Sequence, residues 1–140
     1  MGAKGLVIGS VTKDNQVDED LLLKLKGAIS NKIEVTYHKA SDLTNLVQTY
    51  EKLKGLGVNR VLTQGGKGPI LENSEVIKEL LKCEYMNTLL GGGINVQNVE
   101  NIIKSLHPSE IHIGTCVRKD KFGPVDGLLV EEFIKRMSYS

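Results

Sequence analysis

Two glycine-rich segments in this 140-residue chain have the composition of an anion-binding loop. Residues 91–93 are three consecutive glycines after an apolar stretch, and residues 65–68 combine three glycines with Lys67. Glycine leaves backbone N–H groups open to a ligand, and the amino-terminal end of a following helix favours negative charge. We therefore expect a ligand face built from loops that follow strands. The alternative is that these glycines only permit tight turns and close packing.

The candidate ligand-binding residues lie at or just after the carboxyl ends of the predicted strands, where parallel sheets bind ligands. They are His38, Lys39, Thr63, Gly65, Gly66, Gly91, Gly92 and Gly93. His38 and Asp42 are the candidates for a general acid or base. For His38 the alternative is a hydrogen-bonded core imidazole. For Lys39, which would act on an anion as a point charge, the alternative is a solvated ammonium group.

The composition excludes several classes of function. The chain has 18 basic and 17 acidic side chains and a formal net charge of +1, so it lacks the basic surface of a nucleic-acid or membrane-surface protein. Its length suits one domain with a buried core. The two cysteines form no CxxC pair and predict no disulfide framework. No secretory signal or membrane-length apolar run is visible, and we expect a soluble, cytoplasmic protein.

Strand-like and helical patterns alternate along the chain. The predicted strands are residues 5–9, 32–37, 60–62, 87–90 and 110–113, and the predicted helices are residues 18–29, 44–56, 70–82, 96–106 and 127–137. Asp18 is placed to cap the first helix, and Gly57 follows the second at a position typical of glycine. Five βα units predict an α/β fold with parallel strands. The pattern alone is compatible with an open doubly wound sheet or with part of a (β/α)₈ barrel.

Five sequence motifs, in order, resemble those of the CutC copper-homeostasis family. They are Gly2-Ala3-Lys4-Gly5-Leu6-Val7-Ile8-Gly9, Val35-Thr36-Tyr37-His38-Lys39-Ala40-Ser41-Asp42, Leu56-Gly57-Val58-Asn59-Arg60-Val61-Leu62-Thr63-Gln64-Gly65-Gly66, Leu90-Gly91-Gly92-Gly93-Ile94 with Asn98, and Glu110-Ile111-His112. The similarity spans about residues 2 to 118. The chain departs from the family pattern at Lys39, where the family has arginine, and at Ser41, where it has phenylalanine.

The resemblance implies a TIM-barrel fold, a cytoplasmic location and a role in copper tolerance. Residues 1–140 would then form one CutC-like domain, a partial barrel of about five βα units that lacks the first units of the family. The family's cysteines usually considered for copper lie in that absent part. Cys116 with His112 is the pair in this chain that we expect to bind Cu(I), since soft thiolates favour that ion. The alternative for Cys116 is a small, half-buried packing residue.

Strand alternation predicts which side chains would face the barrel interior. One face carries Glu34, Thr36 and His38 in the second strand and Glu110 and His112 in the fifth. Apolar residues occupy the opposite face of both strands. We expect the polar face to point into the barrel and the apolar face to point to the helices.

Three functional hypotheses follow from these observations. The first is a copper-homeostasis factor that binds or responds to the metal. The second is a TIM-barrel enzyme or binding protein for a small anionic or phosphorylated ligand, in which the glycine loops hold the anion. The third is an assembly partner without activity of its own. A partial barrel also leaves two open sheet edges, so we expect self-association through them.

Overall fold

The computed structural model describes residues 2–138. The strands are β1 Gly5–Ile8, β2 Glu34–Tyr37, β3 Arg60–Thr63, β4 Asn87–Gly91 and β5 Glu110–His112. The α-helices are α1 Glu19–Ala28, α2 Leu46–Gly55, α3 Ser74–Leu81, α4 Val99–Leu106 and α5 Gly127–Ser138. Short 3₁₀ turns occupy Lys39–Leu43, Ile70–Asn73 and Thr115–Val117. All of the predicted strands and helices are present in the described part of the chain.

The sheet has the strand order β1-β2-β3-β4-β5, and each neighbouring pair is parallel. A doubly wound sheet reverses its strand order at a switch point. This sheet never reverses, so it has the strand arrangement of a barrel wall. The prediction of an α/β, partial TIM-barrel fold is confirmed, and the doubly wound alternative is excluded.

Local hydrogen bonds explain where two helices begin. The Asp18 side chain accepts from Leu21 N at 3.1 Å and caps α1, as predicted. The helix predicted from residue 96 starts only at Val99, because the Asn95 side chain accepts from the amides of Gln97 and Asn98 and holds them in a turn.

One face of the sheet packs against the helices and buries the core. Two apolar clusters form there. The first contains Val35, Tyr37 and Val61 from the strands with Leu22, Leu46, Tyr50 and Leu53 from α1 and α2. The second contains Leu90 with Ile77, Val99, Ile102, Leu106 and Phe133 from α3, α4 and α5. Burial of these residues removes apolar surface from water and stabilises the fold.

The other face of the sheet, which we call the inner face, remains open over the described residues. It borders a cavity of about 470 Å³ lined by Val7, Thr36, Arg60, Leu62, Leu89, Glu110, Ile111 and His112. Thr36, Glu110 and His112 of the predicted polar face therefore line the inner face, whereas His38 packs on Gly9. Val7 is 67% exposed, which is unusual for an apolar residue of a parallel sheet.

The same local arrangement follows both β1 and β5. In each case an antiparallel bridge closes a hairpin and an aspartate then caps the next helix. The bridges join Val11 to Val17 and Arg118 to Val125, and the caps are Asp18 and Asp126. A hydrogen bond from Lys119 lowers the pKa of Asp126 and favours its ionised form. The two modules lie four βα units apart, half of an eight-unit barrel.

No helix among residues 2–138 is both long enough and apolar enough to cross a membrane.

Gly91 tests how tightly β4 packs on the inner face. A Cβ atom at this position would lie 2.7 Å from Leu62 Cδ1 and 2.9 Å from His112 Cβ. We expect Gly91→Ala to lower the free energy of unfolding by about 1–3 kcal/mol, measured by urea denaturation, because overpacking forces neighbouring atoms apart. The control is Gly27→Ala in α1, where a Cβ meets nothing within 4 Å. Equal midpoints for the two variants would contradict the packing described for β4.

Candidate functional site

The carboxyl ends of β2, β3 and β4 meet around the carboxylate of Asp42. Asp42 lies in the 3₁₀ turn Lys39–Leu43, which follows β2 directly. Its side chain is only 9% exposed. The side chain of Ser41 in the same turn donates to Leu62 O at 3.1 Å and fixes the turn against β3. The turn therefore holds Asp42 beneath the glycine-rich loop that follows β3, residues 65–68, which we call the first glycine-rich loop.

Asp42 accepts hydrogen bonds from the loop that was expected to bind an external anion. The amides of Gln64 and Gly66 donate to its Oδ1 at 3.2 and 3.1 Å, and the hydroxyl of Thr63 donates to the same oxygen. Thr63 Oγ1 also accepts from Gly65 N at 2.9 Å. A protein carboxylate thus occupies the position that a bound anion would take. The catalytic role considered for Asp42 remains a prediction, and these contacts give it a structural role.

Lys39 links this cluster to the second glycine-rich loop, residues 91–93 at the end of β4. Its Nζ donates to Gln64 Oε1 and lies 3.8 Å from Asp42 Oδ2. The same Nζ would lie 2.5 Å from a Cβ at Gly92, a residue with a φ of 133°. This dihedral favours glycine at position 92, and the absence of a side chain lets the lysine approach.

Other candidate residues have contacts that account for them structurally. His38 Nδ1 accepts from Ala40 N at 3.0 Å, and its ring packs on Gly9, where a Cβ would lie 2.5 Å from Cε1. In the neutral ring the proton is therefore on Nε2. Gly65 has a φ of 86° and no room for a side chain beside Asn73 and Ile77. The structure thus matches the core-imidazole alternative for His38.

A cavity of about 360 Å³ opens between the loops that follow β3 and β4, and we call it the β3–β4 pocket. It is lined by Gln64, Gly68, Pro69, Ile70, Leu71, Gly92, Gly93, Asn98 and Ile102. Nothing lies within 4 Å of a Cβ at Gly93. Of the eight ligand-binding candidates, Gly92 and Gly93 line this pocket and Lys39 adjoins it. The remaining five are engaged in turns and packing.

Charged side chains form a second cluster near the amino-terminal end of the inner face. Arg60 Nε and Nη2 donate to the two carboxylate oxygens of Glu110 at 2.5 and 3.1 Å, and Arg60 Nη1 lies 3.6 Å from Glu34 Oε2. The hydrogen bond that Arg60 donates to Glu110 raises the pKa of Arg60. Bidentate pairing of this kind fixes the arginine in one orientation. Arg60 was missed by sequence reasoning, because its partner Glu110 lies two strands away.

The proposed copper ligands lie in different surroundings. His112 is exposed and lines the inner face, whereas Cys116 is half-buried and packs against the helix-side cluster that contains Phe133. Within residues 2–138 no three His, Cys, Asp or Glu side chains are grouped so that they could hold a metal ion. The described residues therefore form no copper centre of three such ligands.

Sequence reasoning also missed most residues of the β3–β4 pocket. Gln64 belongs to a quoted motif, and its alternation with Leu62 could have placed it on the inner side of the strand end. Asn98 was noted only as a motif residue. Ile70 and Leu71 of the apolar wall were assigned to the helix predicted over residues 70–82, and nothing in that pattern indicated a pocket.

The strand order defines a protein of the α/β-barrel class, and the β3–β4 pocket lies at the carboxyl ends of its strands. The CutC family model matches residues 1–117, which include all five strands. The chain belongs to the CutC family.

Individual relatives agree with this assignment. A copper homeostasis protein cutC homolog of Homo sapiens is 34% identical over 122 residues, covering 85% of this chain and 44% of the relative. A CutC family protein of Pasteurella multocida is 35% identical over 116 residues, covering 81% and 47%. The crystal structure of a CutC protein from Streptococcus agalactiae matches with a TM-score of 0.71 and 26% identity, covering 78% of this chain and 55% of that one. The chain spans about half the length of the relatives it matches.

Asp42→Asn tests whether the carboxylate holds the first glycine-rich loop. We expect the variant to lose roughly 2 kcal/mol of unfolding free energy, because charge-assisted hydrogen bonds to buried donors are weakened. Amide hydrogen exchange at Gln64 and Gly66 should accelerate. The exposed Asp14→Asn is the control and should change neither quantity. Unchanged protection at Gln64 and Gly66 in Asp42→Asn would show that other contacts hold the loop.

Proposed function

We propose that this chain is a cytoplasmic copper-homeostasis protein that contributes to copper tolerance. The observation that carries the proposal is the family match over residues 1–117, which covers the whole sheet and its carboxyl-end loops. Relatives from Homo sapiens and Dictyostelium discoideum carry the name copper homeostasis protein cutC homolog. The activity of those longer proteins is extended to this chain only as part of this proposal.

Within this proposal, copper tolerance does not depend on a tight copper centre formed by the described residues. A stable Cu(I) site needs two or more soft donors that converge on one point. His112 faces the inner side of the sheet and Cys116 faces the helices, and no other thiol or imidazole joins them in a group of three within residues 2–138. The chain would act by binding another molecule or a partner.

An anaerobic Cu(I) titration against a competing chelator tests this part of the proposal. We expect the purified chain to retain less than about one tenth of an equivalent of Cu(I) against a strong competitor, because its donors do not converge. The variants are Cys116→Ser and, as the matched control, Cys83→Ser, since both cysteines are free and half-buried.

Two outcomes separate the alternatives. One copper per chain, lost in Cys116→Ser and kept in Cys83→Ser, would establish direct copper binding and overturn the proposal.

A copper-sensitive strain lacking its CutC protein supplies the second readout. Expression of this chain should restore tolerance equally well with and without Cys116. Failure of both versions to restore tolerance would contradict a role in copper homeostasis.

We also propose that the chain self-associates through its inner face and sheet edges. Among residues 2–138, β1 and β5 each pair with a strand on one side only. Unpaired strand edges and an exposed apolar residue such as Val7 favour association with another sheet. A second copy of this chain, rotated about the barrel axis, would keep its strands parallel to those of the first.

Light scattering of Val7→Lys tests this association. We expect the unmodified chain to form a dimer or larger assembly, and Val7→Lys to raise its dissociation constant at least tenfold, because the charge would be buried on association. Val76→Lys on α3 is the control, since Val76 is also exposed but lies away from the inner face. A monomer at all concentrations with a cooperative melt would contradict self-association.

A further inference from the structure

The polar groups of the β3–β4 pocket offer donors while their acceptors are already engaged. Gln64 Oε1 accepts from Lys39, and Asn98 Oδ1 accepts from Asn95 N at 2.8 Å. The backbone carbonyls in the wall are engaged as well. Gly68 O accepts from Gln64 Nε2 at 2.9 Å, and Gly93 O accepts from Asn98 Nδ2 at 2.9 Å. A ligand that donates hydrogen bonds would have to share each of these oxygens with a donor of the protein.

Gln64, Asn98 and Lys39 carry more N–H protons than they have acceptors within the protein. A primary amide carries two N–H protons and an ammonium group carries three. Gln64 Nε2 and Asn98 Nδ2 each have one contact with a protein acceptor. Lys39 Nζ has one hydrogen bond, to Gln64, and an ion-pair contact with Asp42 at 3.8 Å. Each group thus has a proton left for a ligand that only accepts.

The local charge sets where an anionic group would lie. The carboxylate of Asp42 accepts hydrogen bonds from the amides of the first glycine-rich loop and also faces Lys39. At the opposite rim, Glu72 Oε2 would lie 3.3 Å from a Cβ at Gly68. Glu72 therefore repels an anion from the Gly68 rim, whereas at the Gly92 rim the charge of Asp42 is offset by Lys39, whose remaining protons can be donated.

The remaining wall of the pocket is apolar. Ile70 and Ile102 are buried, and Leu71 is 38% exposed at the mouth beside Pro69. Covering Leu71 with the apolar part of a ligand would remove further apolar surface from water. A volume of about 360 Å³ falls within the range of small-molecule sites.

We propose that the β3–β4 pocket binds a small molecule with an anionic head, a phosphate or a carboxylate, and a short apolar body. The head contacts Lys39, Gln64 and Asn98 beside Gly92 and Gly93, and the body lies against Pro69 and Leu71. This site is separate from His112 and Cys116, and it extends the chain's function beyond copper tolerance. The proposal involves binding alone and no chemical step.

Titrations with four simple probes followed by amide NMR test the site. The probes are isopentyl phosphate, isovalerate, inorganic phosphate and isopentyl alcohol. We expect the alkyl phosphate or the carboxylate to bind at least tenfold more tightly than the alcohol or inorganic phosphate, with shifts at Gly92 and Gly93. The ratio between the two organic anions distinguishes a phosphate site from a carboxylate site. Equal affinity for the alcohol and the anions would overturn the anionic head.

Two pairs of variants locate the two halves of the ligand. Lys39→Met should weaken binding of the better organic anion at least tenfold, whereas Lys67→Met removes an equal charge from the neighbouring exposed loop and should weaken it less than threefold. Leu71→Glu should also weaken it at least tenfold. Val47→Glu, at a residue 41% exposed on α2, should have no effect.

Stability is measured for all four variants, because Lys39 also contacts Asp42. If Lys39→Met does not fold, Leu71→Glu with its control decides the result. Binding that is unchanged in Leu71→Glu, or equally reduced by Lys39→Met and Lys67→Met, would overturn the proposed site.

Discussion

The carboxylate of Asp42 is the interaction on which the carboxyl-end edge of the sheet depends. It is almost fully buried and accepts from the amides of Gln64 and Gly66 and from the Thr63 hydroxyl. Burying a carboxylate without such partners would cost several kcal/mol. The loop donors and Lys39 offset that cost, and in return the loop after β3 is held in one conformation.

Several features of the site follow from this one contact. Because the loop amides are directed at Asp42, Gln64 is positioned with its side chain against Lys39. Lys39 in turn lies over Gly92 and couples the β3 loop to the β4 loop. Three strand ends that are far apart in sequence thus form one connected rim. Contacts of this kind hold the donors of a binding site in place before a ligand arrives.

A second constraint comes from the sheet itself. Parallel strands normally have both faces covered, and here the helices cover one face while Val7, Arg60 and His112 line the other. The bidentate pair between Arg60 and Glu110 satisfies the charge near the amino-terminal end of this open face. The inner face therefore combines fixed charges with exposed apolar surface, the composition of a surface that meets another sheet or chain.

Much of the fold could be predicted because it depends on local patterns. Apolar runs of strand length, helical periodicity, the Asp18 cap and Gly57 after α2 are properties of neighbouring residues, and each was found in the structure. The start of α4 was predicted three residues too early, since the Asn95 turn competes with helix formation. The meeting of the β3 and β4 loops at one edge of the sheet was also predictable, because parallel strands end on the same side.

The sequence by itself determined the five βα units, their family and the glycine-rich loops at the carboxyl ends of β3 and β4. Only the tertiary structure decided that the loop after β3 donates hydrogen bonds to Asp42 and that Lys39 lies beside Gly92 in the loop after β4. Asp42, Thr63 and Gln64 are brought together by the pairing of β2 with β3, and this register is not encoded in the spacing of any motif. The side taken by Cys116 was decided in the same way, whereas strand alternation had already placed His112 on the inner face. Hydrogen bonds depend on distances of a few tenths of an ångström, and long-range packing sets those distances.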